Sequence, residues 1–189
     1  MKFKILLLSF IICANANARP FGIELNYSPF GEITINPEVA VYHGERINLK
    51  LKNYIEIGAI GNSGSAGIDE ISDMYIRAYF SEANHSELNF YSKTYGLRLG
   101  SKIFPLPKTP FIFVGFNGAL FHDEYFNKGL ILDNSSFISY SLGLNAGLTF
   151  DISTFTKMNA EYANNFLISS SSKDSKTWQV MIGFIYLLH

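Results

Sequence analysis

The sequence predicts an all-β protein, a closed antiparallel transmembrane β-barrel of eight strands, with ten strands as the alternative. Several segments alternate between apolar and small or polar residues, which gives each strand one apolar face. Aromatic residues recur near the ends of these segments on the apolar face, as in the belts that flank the lipid-facing band of membrane barrels. Hydrophobic residues make up 48% of the chain. No stretch after residue 18 is long and apolar enough for a spanning helix, so this content is distributed over strands.

The N-terminus has the organisation of a secretory signal peptide. A basic start at Lys2 precedes a short apolar run over residues 5–13, and an Ala-x-Ala exit follows at residues 16–18. The apolar run is far shorter than the roughly 20 residues that a membrane-spanning helix needs. We therefore predict a cleaved signal peptide over residues 1–18 and one outer-membrane barrel domain over residues 19–189.

Charge and cysteine content exclude several classes of site. The only cysteine, Cys13, lies in the predicted signal peptide, so the mature chain is expected to have no disulfide, thiol nucleophile or cysteine-bound metal. The formal net charge of -1 provides no basic footprint for a nucleic acid. We predict no cofactor and no nucleic-acid partner.

The strands are predicted from alternation. The clearest is Ile138 to Ile152, in which even-numbered residues are apolar and odd-numbered ones are small or polar. The last segment repeats the pattern, with apolar residues at even positions from Trp178 to Leu188. The predicted strands, in order, cover residues 21–28, 47–51, 54–61, 94–103, 110–121, 138–152, 158–168 and 178–188.

The links between these segments fall into two classes. Short links are predicted at Lys52-Asn53, Pro105 to Thr109 and Ser153 to Thr156, and longer polar links at residues 29–45, 62–92, 122–137 and 169–176. Outer-membrane barrels combine tight periplasmic turns with longer outer loops. Starting the mature chain in the periplasm makes every short link periplasmic, which predicts an outer-membrane location.

Two alternatives concern the architecture. A soluble antiparallel barrel or sandwich also alternates, but it buries its apolar face and exposes the polar one. The segment 62–92 is also rich in apolar residues for an outer loop. It could hold an amphipathic helix over residues 68–82, or a hairpin of residues 73–81 and 86–93 that would make ten strands.

The C-terminal half resembles a known family. Residues 142–150, the run Asn159-Ala160-Glu161-Tyr162 and residues 183–188 are similar to the last three strands of the OmpA-like and opacity-type small outer-membrane barrels, a group that includes OmpX-like eight-stranded barrels. The resemblance implies an eight-stranded barrel without a cofactor. It also implies a role as an adhesin, an immune-evasion factor or a structural protein of the outer membrane.

The resemblance further implies a C-terminal signal read by the barrel-assembly machinery, at Gly183, Tyr186 and Leu188. Family members commonly end on Phe, and this chain has Leu188 in that place, followed by His189.

Charged residues on the polar faces predict ion pairs inside the barrel. An eight-stranded barrel is only wide enough to be filled by side chains, so its interior charges must be paired. The predicted interior network consists of Glu24, Glu56, Asp151 and Glu161 facing Lys50, Arg98 and Lys102. The functional alternative is a polar conduit, that is, a small-solute channel.

The histidines bear on an enzymatic alternative, an outer-membrane lipid A or phospholipid acyl hydrolase. Such an enzyme needs a serine, a histidine base and an orienting group near the outer rim. The segment Asn84 to Glu87 contains these residue types, but the adjacent His85 and Ser86 would point to opposite faces of a strand. His122, with Asp123 and Glu124, and His43 could instead form a surface metal site. We predict no catalytic and no metal residues.

The sequence therefore predicts a non-enzymatic outer-membrane barrel with an adhesive, host-interaction or structural role. Its expected partners are outer-membrane lipid, lipopolysaccharide and the assembly machinery. A host surface or serum protein is predicted to bind through residues 62–92. We expect a monomer.

Overall fold

Eight strands account for the fold in the computed structural model, which describes residues 21–35, 47–62, 72–85, 87, 90–105, 111–127, 135–168 and 176–188. The strands are β1 (Phe21–Ile35), β2 (Ile47–Asn62), β3 (Ser72–His85), β4 (Phe90–Ile103), β5 (Ile112–Asn127), β6 (Ser135–Asp151), β7 (Thr156–Ile168) and β8 (Lys176–Leu188). Consecutive strands pair antiparallel, and β8 pairs with β1 to close the barrel. The predicted closed barrel of eight strands is confirmed, and the alternative of ten is wrong.

Some predictions lie outside this part of the chain. The signal peptide predicted over residues 1–18 is not among the described residues. Within the ranges that are described, no helix has the length and apolar character needed to cross a membrane.

Alternation along β6 separates the outer surface of the barrel from its interior. Even-numbered residues from Ile138 to Ile152 point outward, and most of them are strongly exposed. The interior side of the same strand is small and polar, and its buried residues are Ser139, Ser141, Asn145 and Thr149. The predicted orientation of this strand is therefore confirmed, and β8 follows the same rule with Gln179, Met181 and Ile185 buried.

The barrel closes where β1 meets β8. The register runs from Phe21 opposite Leu188 to Tyr27 opposite Ile182, and it shifts at a bulge before Phe30. Pro29 lies in this bulge, where its missing N–H costs no ladder hydrogen bond. Phe21, where β1 starts, lies opposite Leu188, where β8 ends. We call this end of the barrel the proximal end and the opposite end the distal end.

The turn predicted at Lys52-Asn53 is wrong, because β2 runs through it. The pairing of β2 with β3 contains a bulge between Leu51 and Asn53, which reverses the faces on either side. Leu49 is consequently buried in the interior, whereas Lys50 and Lys52 are exposed on the outside. Lys52 and Asn53 are consecutive polar residues, which is a pattern typical of turns, but at this bulge both lie on the outer surface of the strand.

The predicted outer loop over residues 62–92 is also wrong. Most of it is β3 and the start of β4, and only residues 86–89 connect these strands at the distal end. Residues 63–71 join β2 to β3 at the proximal end. The predicted alternation of short and long links therefore does not hold, and most of the segment on which a partner site was predicted forms part of the barrel wall.

The described interior includes two apolar clusters with a charged layer between them. Toward the distal end, Tyr54, Tyr79 and Phe121 pack with Ala119, Ala163 and Met181. Toward the proximal end, Ile60, Tyr75 and Ile185 form a second apolar cluster. Between the two lies a layer of buried charged side chains, which is the most unusual chemical feature of the molecule.

Candidate functional site

Arg77 occupies the centre of the buried charged layer. It projects inward from β3 and is fully buried. Its Nε and Nη2 atoms donate to the two carboxylate oxygens of Glu24 at 2.8 and 3.0 Å. Its Nη1 donates to Glu56 at 3.0 Å, and its Nη2 also donates to Glu161 at 3.0 Å. All three guanidinium nitrogens are therefore used, as the planar fork of arginine permits.

Two further cations complete the layer, both from β4. Lys102 Nζ lies 2.8 Å from Glu24 and 3.8 Å from Glu161. Arg98 Nη1 lies 2.7 Å from Glu56. Three carboxylates thus face three cations in this layer, so it is electrically balanced. This balance offsets the large desolvation cost of burying the six charges.

Neutral side chains add further hydrogen bonds to these carboxylates. Tyr54 donates its hydroxyl to Glu56, and Asn145 donates to Glu161 at 3.1 Å. The Arg77 guanidinium also stacks over the Tyr75 ring at 3.7 Å. A Cβ at Gly58 would overlap the backbone of β3 beside Arg77, so a glycine on β2 lets the two strands approach at this level.

The sequence had predicted five members of this layer and misplaced two others. Glu24, Glu56, Arg98, Lys102 and Glu161 lie within it. The other two predicted members, Lys50 and Asp151, do not reach the interior.

Lys50 faces outward because the bulge in β2 reverses its side. Asp151 is the last residue of β6, and its side chain is 78% exposed, with Lys157 Nζ at 3.5 Å. Alternation assigned both residues to the interior, but a bulge and a strand end interrupt the alternation there.

Arg77 was missed, although it holds the layer together. Residues 73–81 were assigned to a loop, with a strand only as the alternative. The signal was present, since Tyr75, Arg77 and Tyr79 alternate with Met74, Ile76 and Ala78. Both faces are rich in apolar atoms, so the usual contrast between a polar and an apolar face is weak.

A small cavity lies in the described interior on the distal side of the charged layer. Its volume is about 30 Å³, and its walls include Arg98, Asp123 and Tyr125. Thr94 donates a hydrogen bond to Asp123 at 2.6 Å. Such a volume is on the scale of a water molecule and far below the roughly 300 Å³ of a small ligand pocket. The cavity therefore does not provide a substrate site.

The histidines do not form a recognisable catalytic or metal site in the described part. His122 faces outward and lies 3.6 Å from Glu124. Ser139, on the neighbouring strand, is buried on the opposite side of the wall. His85 ends β3, while Ser86 and His43 lie outside the described residues. No three His, Cys, Asp or Glu side chains gather within metal-binding distance in the described ranges.

The outer surface has two zones. Its larger part is an apolar band that includes Leu25, Ile57, Leu99, Phe116, Leu144 and Phe184. Near the distal end, several outward positions of β1 to β5 are polar or charged, and the stacked rings of Tyr91 and Phe126 lie among them. We call the polar and charged residues the distal collar: Glu32, Asn48, Lys50, Lys52, Asn53, Glu82, Lys93, His122 and Glu124.

Contacts within the distal collar run between neighbouring strands. Asn53 donates to Glu82 at 2.8 Å, and Lys93 Nζ lies 3.9 Å from the same carboxylate. Lys50 lies opposite Glu32 in the register of β2 and β1. Trp178 of β8 donates to Glu32 at 3.3 Å, which joins the collar to an interfacial aromatic side chain.

Of the three C-terminal positions, Tyr186 and Leu188 lie at the proximal end and are exposed on the apolar band. Gly183 lies further along β8, opposite Asn26, and faces the interior of the barrel. Their recognition by the assembly machinery stays a prediction.

Comparison with known proteins identifies the architecture. No family model matches the sequence, and neither does any curated protein. The structure of Neisserial surface protein A matches with a TM-score of 0.61 and 12% identity, covering 88% of this chain and 96% of that one. This chain has the fold of a small outer-membrane barrel. The resemblance predicted from the C-terminal strands is confirmed at the level of the fold.

Two other solved structures agree. Ail, the attachment invasion locus protein of Yersinia pestis, matches with a TM-score of 0.51 and 15% identity, covering 90% of this chain and 99% of that one. A major outer membrane protein from Thermus thermophilus matches with a TM-score of 0.55 and 11% identity, and the match covers 91% of this chain and 100% of that one. At these identities the likeness concerns the fold.

Proposed function

We propose that this chain is a non-enzymatic surface protein of the bacterial outer membrane, and that its distal collar contacts a macromolecule outside the cell. The observation that carries this proposal is the collar itself, a charged zone on the outward face at the end opposite the chain termini. Such a zone is accessible to partners, whereas the interior cavity beside Arg98 and Asp123 is only on the scale of a water molecule.

The apolar band supports membrane insertion. Large aliphatic and aromatic side chains cover the outward face of every strand, and most of them are exposed. A surface of this kind is stable in a bilayer and promotes aggregation in water. The predicted signal peptide and the likeness of the fold to a major outer membrane protein from Thermus thermophilus support the outer membrane as the location.

The collar supports an exposed position of the distal end. An outward lysine near the middle of the membrane would cost about 2 to 4 kcal/mol, but near zero to 1 kcal/mol at the interface. Lys50, Lys52 and Lys93 therefore belong at or beyond the headgroups. With the proximal end in the periplasm, these side chains face the outside of the cell.

The partner class is suggested by a matched protein. The structure of Ail has been solved in complex with the heparin analogue sucrose octasulfate. That structure matches this chain with a TM-score of 0.50. The three collar lysines supply cationic groups for a sulfated glycan, although the collar also contains carboxylates. A sulfated glycan on a host surface is the partner that we propose to test first, in place of one bound through residues 62–92.

The experiment measures attachment of cells that display the protein. Binding to immobilised heparin and to cultured epithelial cells is compared for wild type and a variant with Lys50→Gln, Lys52→Gln and Lys93→Gln. Lys157→Gln is the matched control, since Lys157 is an exposed lysine at the proximal end. We expect a several-fold loss with the collar variant and none with the control. Equal binding by all three proteins would contradict the role of the collar.

The same cells test the enzymatic rival. The lipid A and phospholipid acyl patterns of cells with and without the protein are compared by mass spectrometry. We expect identical patterns. A change in the pattern that disappears with His85→Ala or His122→Ala would replace this proposal with a lipid acyl hydrolase.

A further inference from the structure

A groove crosses the apolar band on the outer surface of β3 to β6. Its volume is about 660 Å³, within the range of lipid and small-ligand sites. Apolar side chains form most of its walls: Met74, Leu99, Ile103, Phe116 and Leu142. It lies on the side of the wall that faces lipid, and it is separate from both the charged layer and the distal collar.

A missing side chain creates the groove. Gly118 occupies an outward position on β5, where its register partners Leu99 and Leu142 both carry large exposed side chains. A Cβ at Gly118 would come no closer than 3.5 Å to its nearest neighbour, Leu142 Cδ2. The neighbouring side chains therefore leave the groove open at Gly118, and it has space for a ligand.

A buried hydroxyl lies in the groove. Ser101 faces outward between Leu99 and Ile103, opposite Met74, yet it is only 7% exposed. Its Oγ has no hydrogen-bond partner. The pairing of β4 with β5 is also interrupted beside it, between Gly100↔Asn117 and Ile103↔Val114. Leaving a buried hydroxyl without a partner is costly, so this site points to an acceptor supplied from outside the chain.

We propose that the groove binds one acyl chain of a glycerophospholipid, with the ester carbonyl accepting a hydrogen bond from Ser101. The polarity of the groove supports this orientation. Ser72 and Ser101 lie at or near the proximal ends of their strands, whereas Leu142 lies midway along β6. An ester near the proximal interface and a chain directed toward the membrane centre match this gradient. A lipid entering from the distal leaflet would place its polar end at the wrong side.

This inference depends on membrane insertion as proposed above, but not on the adhesive role. The protein is folded into vesicles of phosphatidylethanolamine and phosphatidylglycerol and extracted in mild detergent. Native mass spectrometry then counts the phospholipid molecules that each protein retains. Heat-modifiable mobility on gels verifies the folding of every variant beforehand.

Two variants and one control address the groove. Gly118→Leu fills it, and Gly61→Leu is the matched control, because Gly61 is another outward glycine whose Cβ would come no closer than 3.8 Å to its nearest neighbour, Phe21. Ser101→Ala removes the hydroxyl and leaves the groove open. If Gly118→Leu does not fold, Gly118→Ala replaces it.

Wild type and Gly61→Leu are expected to retain one phospholipid, and Gly118→Leu to retain several-fold less. Ser101→Ala should weaken retention of the diester lipid and leave retention of a dialkyl-ether analogue, which lacks the carbonyl, unchanged. A folded wild type without lipid, or equal retention by Gly118→Leu and Gly61→Leu, would overturn the inference. A protein that does not insert into vesicles would instead contradict the proposed function.

Discussion

Among single side chains, Arg77 has the largest structural role. It contacts three carboxylates on three other strands, β1, β2 and β7, so one guanidinium ties together distant parts of the wall. Burying an ion pair contributes little net stability when compared with apolar packing, but removing one partner leaves an uncompensated charge. We therefore expect a substitution that removes one charge of the layer to destabilise the barrel more than a pair of substitutions that removes one cation and one carboxylate.

We predict that Arg77→Met destabilises the barrel by roughly 3 to 5 kcal/mol, because three buried carboxylates then face two cations. Urea unfolding in lipid vesicles, followed by heat-modifiable gel mobility, measures this change. Lys157→Met is the control, and loss of its exposed ion pair should cost less than about 1 kcal/mol. Adding Glu161→Gln to Arg77→Met restores the balance and should recover part of the loss. No recovery in the double variant would count against charge balance as the cause.

Among the strands, β6 shows how cleanly alternation defines the wall. We predict that Leu144→Arg costs about 2 to 4 kcal/mol, since this exposed side chain lies on the apolar band near the middle of the strand. Asn48→Arg is the matched control, because Asn48 belongs to the distal collar and the same substitution there should cost about 0 to 1 kcal/mol. The same unfolding assay compares both. Similar costs at the two positions would refute the division into an apolar band and a collar.

The strands differ in how well the sequence predicted them, and the reason is physical. β6 was predicted because its interior side chains are small or polar and contrast with the outer ones, and β8 because its outer side chains are apolar at every even position from Trp178 to Leu188. β3 was not, since the interior at that level is filled by the large rings of Tyr75 and Tyr79, which makes both faces look apolar. The bulge in β2 was also invisible, because a sequence does not show where a strand changes register.

The candidate sites also differ in how far the sequence predicted them. The carboxylates of the charged layer were predicted because Glu24, Glu56 and Glu161 alternate with apolar residues on their strands. The distal collar could not be predicted, since it depends on where the distal ends of five neighbouring strands extend beyond the apolar band. The groove depends on Gly118 lying beside Leu99 and Leu142, a relation that only the register between strands reveals.

For the molecule as a whole, the filled interior predicts the absence of a stable pore. The charged layer and the two apolar clusters occlude the lumen in the described part. Recordings of the purified monomer in planar bilayers should show no conductance or only small, flickering events. Steady porin-like conductance would support the small-solute channel that the sequence left open.

The distribution of the buried charges along the chain constrains how the barrel can be assembled. Strands β1 to β4 bring together Glu24 and Glu56 with Arg77, Arg98 and Lys102, two anions against three cations. Within the layer, these four strands therefore supply one cation more than carboxylates. The third carboxylate of the layer, Glu161, lies on β7 and contacts Arg77 directly. The ion pairs of the layer are consequently complete only when β7 has joined the sheet, one strand before β8 pairs with β1 and closes the barrel.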